Sequence, residues 1–231
     1  MKILVLTAIF GGVDTQKPFA PQSLPDGVVL DRVVITEANT PVPLPNLPDR
    51  LKGKYFKMQA HRIYPGYSAY VWIDGNIEVT SPDFVWKMVD GLNGIRIQKH
   101  HERETVGQEI DFILKSENPY LKVRYDSQPL KEEYEWYLSK GMPPDAPLYS
   151  CNVFACRNMA GSGANRLFDE WLNLCLEWSW FDQSAFSYLA WKYNKRLGLN
   201  GRHDPKVETV DLGGVLTSPY FKLHSHDNWN K

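Results

Sequence analysis

Long apolar runs are missing from this sequence, which nowhere approaches the ~18 consecutive apolar residues a membrane span needs. The opening stretch, Ile3 to Phe10, is too short for a secretory leader, lacks a small-residue cleavage pattern and ends in Gly11-Gly12, so a buried first strand is expected there. Net charge is scarce as well. The 26 Lys plus Arg against 27 Asp plus Glu leave a formal charge of -1, which argues against bulk nucleic-acid binding while leaving a local basic groove open. Only three cysteines occur, Cys151, Cys156 and Cys175, with no C-x-x-C pair. That excludes a disulfide framework and a structural zinc site and points to a reducing, cytoplasmic setting. What is present is ordinary: 43% hydrophobic, 23% charged and 13% aromatic residues, a composition that excludes a disordered tail, a collagen-like repeat and a coiled coil. The 231 residues fit one domain spanning 1–231.

Along the chain, strands alternate with helices. Ile3-Leu4-Val5-Leu6-Thr7-Ala8-Ile9 reads as a central strand buried on both faces, and Arg32 to Thr36 as a second. Pro41, Pro43, Pro45 and Pro48 then remove backbone donors and forbid a regular element. A helix is expected over Lys52 to Tyr64, and a strand over Tyr67 to Val79, with Ala69 to Ile73 as its apolar part, interrupted by a turn at Asp74-Gly75-Asn76. Ser81-Pro82 opens a helix to about Gly91, and Gly94 to Gln98 is a strand. Thr105 and Gln108 have capping-box spacing before another helix. Helices follow over 117–126 and 129–140, then a strand at Leu148 to Cys156, helices over 165–178 and from Phe181 to Tyr193, and a last strand from Val207 to Val210. Leu223 to Lys231 reads either as a polar tail or as a site segment. This order predicts an α/β fold, a mixed but largely parallel sheet with helices on its faces. Ligands in such folds bind beyond the carboxyl ends of strands.

Trp72-Ile73-Asp74-Gly75-Asn76 sets a carboxylate and an amide two residues apart directly after an apolar strand. Hard divalent cations take oxygen ligands of this kind, although Asp-Gly and Gly-Asn are also common turn pairs. His100-His101-Glu102-Arg103 gathers titratable groups between a strand end and a helix start, where a neutral histidine binds an acceptor or serves as general base; a solvated loop is the competing reading. Asp182 precedes a helical pattern and would serve as its cap.

Lys54-Tyr55-Phe56-Lys57-Met58 with His61 and Pro65, then Tyr70 to Asn76, resembles the K…H…P…Y-x-x-W-I-D-G stretch of a glycosyltransferase-like domain family found in bacterial proteins and in plant mucilage-related Golgi proteins. Gln128, Tyr134, Gly141-Met142-Pro143 and Asp182-Gln183-Ser184-Ala185-Phe186 with Trp191-Lys192 extend the resemblance over about residues 50 to 195. It implies a GT-A fold, the Rossmann-like architecture of nucleotide-sugar transferases. The implied ligands are a nucleoside diphosphate sugar donor, a divalent cation (Mn2+ or Mg2+), and a glycan or other hydroxyl acceptor.

By the same resemblance Asp74 would bind metal, with Asn76 standing where the family has a second acid. A late histidine, His226 or else His224, would complete the set. Lys57 would contact the diphosphate or support the metal, Thr7, Ala8, Phe10 and Gly11 would receive base and ribose, and Asp182, Gln183, His100 and His101 would act on the sugar and acceptor. The departure at Asn76 leaves a non-catalytic carbohydrate-binding module as the alternative. A metal-dependent hydrolase lacks support, since no H-E-x-x-H ligand pair occurs.

Overall fold

The computed structural model describes residues 1–157, 159–197, 205–214 and 216–227. Its main sheet has the order β2-β1-β3-β6-β5-β7, formed by β1 (Lys2–Ala8), β2 (Val29–Ile35), β3 (Ala69–Ile73), β5 (Ile95–Lys99), β6 (Tyr149–Arg157) and β7 (Val207–Thr209). β1 runs parallel to β2 and β3, β5 parallel to β7, and β6 is antiparallel to both β3 and β5. The sheet is therefore mixed and largely parallel, with β6 the reversed strand. A small second sheet pairs β4 (Ile77–Val79) with β8 (Phe221–Leu223), antiparallel.

Period-two alternation assigns successive residues of each strand to opposite faces. Leu4, Leu6, Tyr70 and Trp72 join the core beneath α1 (Asp49–Ile63), α6 (Ser162–Glu177) and α7 (Asp182–Leu197), while Ile3, Val5, Val71 and Ile73 join a second core with Phe84, Val85 and Met88 of α2 (Phe84–Val89). Both faces of β1 and β3 are thus covered, as their near-continuous apolar sequences require. α3 (Val106–Lys115) starts at Thr105, whose side chain accepts from the Gln108 N–H while the Gln108 side chain returns to the Thr105 N–H. α4 (Pro119–Tyr125) and α5 (Leu130–Ser139) complete the helical side. No helix among the described residues is long and apolar enough to cross a membrane.

One expectation needs correction. The segment after Leu223 is not simply a polar tail, because β8 precedes it and residues 224–227 return to the body of the protein. The His224 N–H donates to the Asn76 carbonyl at 2.9 Å, and Asp227 accepts from the Thr15 N–H at 2.8 Å. Residues 228–231 of the predicted tail lie outside the described residues.

Candidate functional site

A cleft of about 430 Å³ opens at the carboxyl ends of β1, β3 and β5, where the reversed β6 contributes its early residues Cys151 and Asn152. Ala8 and Phe10 line it from the β1 side, Asp74 and Asn76 from the β3–β4 turn, and Asp182 and Gln183 from the start of α7. The turn is tight against β1: a Cβ on Gly75 would lie 2.8 Å from Ile9 Cγ1, so a side chain there would push the two walls apart.

The floor is built around Lys57, whose side chain is 4% exposed. Its ammonium donates to the Cys151 carbonyl at 2.5 Å and to Asp182 Oδ2 at 2.8 Å, and lies 3.5 Å from Asp74 Oδ1. Three acceptors face the three donors of an ammonium. Burial opposes its charge, but Asp182 and Asp74 outweigh that cost and hold its pKa above the ordinary lysine value. Lys54, one turn earlier on the same helix face, lies 2.9 Å from Asp182 Oδ1. Burial alone would raise the Asp182 pKa, yet Lys54 and Lys57 hold it well below the usual carboxylate range. Asp182 is accordingly a fixed anion. Both its oxygens face lysines, so the expected helix cap is not what occupies the side chain. Asp74, with its side chain 39% exposed, also accepts from Trp72 Nε1 at 2.6 Å.

His100 lines the cleft. Burial, aided by the nearby Arg103, lowers its pKa to about 4. Its Nδ1 accepts from the backbone N–H groups of Arg103 at 3.1 Å and Glu102 at 3.3 Å. The neutral ring therefore carries its proton on Nε2 and is a hydrogen-bond donor there; the expected general-base role fails because the basic nitrogen is engaged. His101 stacks on His100 with ring centroids 5.2 Å apart but is not part of the cleft wall.

The four residues expected to hold a metal are brought near one another without converging. The Asn76 amide nitrogen donates to the His224 carbonyl at 2.9 Å, His224 Nε2 lies 2.8 Å from Glu78 Oε2, and His226 Nδ1 lies 3.0 Å from both oxygens of Asp14. Asp74 Oδ1 already faces Trp72 and Lys57. Among the described residues no group of three or more His, Cys, Asp or Glu side chains is placed to hold an ion. The side chains present therefore do not form a three-ligand protein site for a divalent cation among the described residues.

Thr7 is buried within β1, and Gly11 lies beyond the cleft wall. With φ +70°, Gly11 packs where a Cβ would meet Asp49 Oδ2 at 2.8 Å. Its role is to let β1 exit beside the start of α1, not to contact a ligand. Lys57 likewise supports the carboxylates and has no donor left over for a diphosphate. Cleft residues the sequence reading missed include Asp14, Arg50, Tyr120 and Arg124. Lys54 stood inside the quoted motif, and its i, i+3 spacing to Lys57 on an otherwise packed helix face was the available signal.

No protein-family profile matches the chain, and no curated protein is significantly similar in sequence. Among solved structures it is similar to apo mouse xyloside xylosyltransferase 1, with a TM-score of 0.50 and 10% identity over 91% of this chain and 86% of that one. The apo WbbM bifunctional glycosyltransferase gives 0.47 and 9%, covering 91% of this chain and 39% of that one. A glycosyltransferase involved in glycosylation of the major capsid of PBCV-1 gives 0.38 and 11%, covering 90% and 81%. At such identity the likeness to the mouse structure establishes the fold, that of a GT-A glycosyltransferase.

Proposed function

We propose, from this fold and the cleft it carries, that the chain is a glycosyltransferase moving a sugar from a nucleoside diphosphate donor to a hydroxyl acceptor. The observation that carries the reading is the Asp74–Lys57–Asp182 arrangement: one buried ammonium joins a carboxylate at the end of β3 to one at the start of α7. The W-I-D-G and D-Q motifs supply those two carboxylates, in keeping with the mucilage-related family whose pattern they resemble. Three buried, unpaired thiols agree with a cytoplasmic setting.

In this reading the base and ribose lie against Ala8 and Phe10, and Asp74 holds the donor through hydroxyl hydrogen bonds. The acceptor oxygen bonds to the anomeric carbon as the bond from that carbon to the diphosphate breaks. Asp182 stays ionised and stabilises positive charge developing on the sugar. Gln183, whose amide has no protein partner among the described residues, orients a sugar hydroxyl. The acceptor proton passes to Nε2 of His226, the cleft histidine whose Nδ1 faces a carboxylate, in the manner of a carboxylate-oriented base. His100 donates from Nε2 and fixes the acceptor.

Release of nucleoside diphosphate from a panel of nucleotide sugars tests this. Asp74→Asn should lower kcat/KM by roughly 100-fold or more, as loss of a directed substrate contact does. His226→Gln should lower kcat by roughly 100-fold while leaving donor affinity near wild type. A wild-type protein that neither binds nor turns over any donor in the panel defeats the proposal.

A further inference from the structure

The geometry points to an oxyanion subsite made by Arg50 and Arg124, which takes the charge of a diphosphate with arginine where this fold would otherwise use a divalent cation. That the ligand is a nucleotide's diphosphate rests on the transferase reading; the subsite itself does not.

Each carboxylate in the cleft wall faces a nitrogen-bearing side chain. Asp182 faces Lys54 at 2.9 Å and Lys57 at 2.8 Å, and Asp74 shares Lys57 at 3.5 Å. Asp14 faces His226 at 3.0 Å, Asp49 faces Lys52 at 2.7 Å, and Glu109 faces Arg103. Arg50 and Arg124 line the same cleft and, among the described residues, neither lies within ion-pair distance of a carboxylate, Asp182 acting on Arg124 only from farther away. They are the positive charges left over once the wall has been balanced.

Their settings strengthen the case. The Arg124 guanidinium lies over the rings of Tyr125 at 5.1 Å and Tyr120 at 5.5 Å, with one terminal nitrogen donating to the Tyr120 hydroxyl. Its Nε is buried with no hydrogen-bond acceptor among the described residues. A planar guanidinium packed against aromatic rings and held by one hydrogen bond keeps its fork of donors from turning freely, which suits it to phosphate oxygens. Arg50 sits in the first turn of α1, at the positive end of the helix dipole, where a cation is electrostatically out of place unless an anion joins it. A dication, by contrast, would compete with Lys57 for Asp74, and no group of three acidic, histidine or cysteine side chains converges to hold it among the described residues.

Calorimetric titration of the full chain with pyrophosphate, and separately with uridine and guanosine diphosphates, each in EDTA and in Mn2+, tests the inference. For the wild type, EDTA should change the affinity by less than about twofold, whereas Arg124→Gln should weaken binding by about tenfold or more. Arg124→Lys should recover only part, since an ammonium lacks the fork. Arg50→Gln, at an exposed helix start, is the second variant should Arg124→Gln fail to fold, and it should weaken pyrophosphate binding too. Binding that disappears in EDTA, or that survives unchanged in both glutamine variants, overturns the subsite. Pyrophosphate binding lost in Arg124→Gln with no nucleotide bound by any form sustains the subsite and removes the transferase reading. Mn2+-dependent nucleotide binding indifferent to both variants does the reverse.

Discussion

Lys57 shows how one side chain ties four elements together. Its ammonium, carried by α1, reaches the backbone of β6, the carboxylate that follows β3 and the carboxylate that opens α7. Trp72, Phe154 and Trp171 surround it, their ring centroids 5.5 to 5.9 Å away, so water contributes little to its solvation and the carboxylates contribute most. Breaking such a buried pair leaves an uncompensated charge. Lys57→Met should therefore cost about 3–5 kcal/mol of stability, measurable by urea unfolding, and adding Asp182→Asn to it should restore part of the loss. A single variant as stable as wild type would mean that the charge network carries no net stability. Acid acts on the same group: because the folded-state Asp182 pKa is depressed, its stabilisation is complete above the ordinary carboxylate range and is lost only as pH falls toward the folded value.

At the scale of elements, the β3–β4 turn and β8 depend on each other. The Asn76 backbone carbonyl accepts from the His224 N–H and its side-chain amide donates to the His224 carbonyl, both at 2.9 Å, so Asn76 clamps the end of β8. Asn76→Ala should loosen β8 and raise the hydrogen-exchange rate of the Phe221–Leu223 amides by roughly tenfold or more, the effect of losing a buried hydrogen bond worth about 1.4 kcal/mol; unchanged exchange would refute the clamp. β8 was invisible in the sequence because three residues with Lys222 at the centre carry no periodicity. Its partner is set by backbone pairing across nearly 150 positions. The longer strands and helices were legible because their burial is periodic, and the helix after Thr105 because its cap is local in sequence. Asp74, Lys57 and Asp182 were legible through motifs. Arg50, Arg124 and Asp14 were not, since each stands in an unremarkable local context and gains meaning only when α1, α4 and the loop after β1 face one cleft.

For the molecule as a whole, the pH dependence of stability is shaped by a buried carboxyl and a half-buried imidazole with opposite signs. Glu133 is fully buried against the hydroxyls of Tyr137 and Ser179, and burial raises its pKa from 4.5 to about 7. Between those values the folded protein retains a proton that the unfolded chain releases, so stability falls as pH rises. His100, lowered from 6.5 to about 4, works the other way, its folded form giving up a proton first. Glu133→Gln isolates the first effect: the stability gap between variant and wild type should grow in the variant's favour from about pH 5 to 7, followed by melting temperature across that range. A gap that does not change with pH would place the proton elsewhere.

The contacts between the loop after β1 and the segment after β8 also order events in time. His226 meets Asp14, and Asp227 meets Thr15 and Lys17, across about 210 residues. A ribosome delivers the sheet strands from β1 to β7 before it delivers β8 and these contacts. Most of the core can therefore be in place while one wall of the cleft is still inside the exit tunnel. A nascent chain that has emerged only as far as β7 would have the body of the fold without the wall of the cleft that His226 supplies.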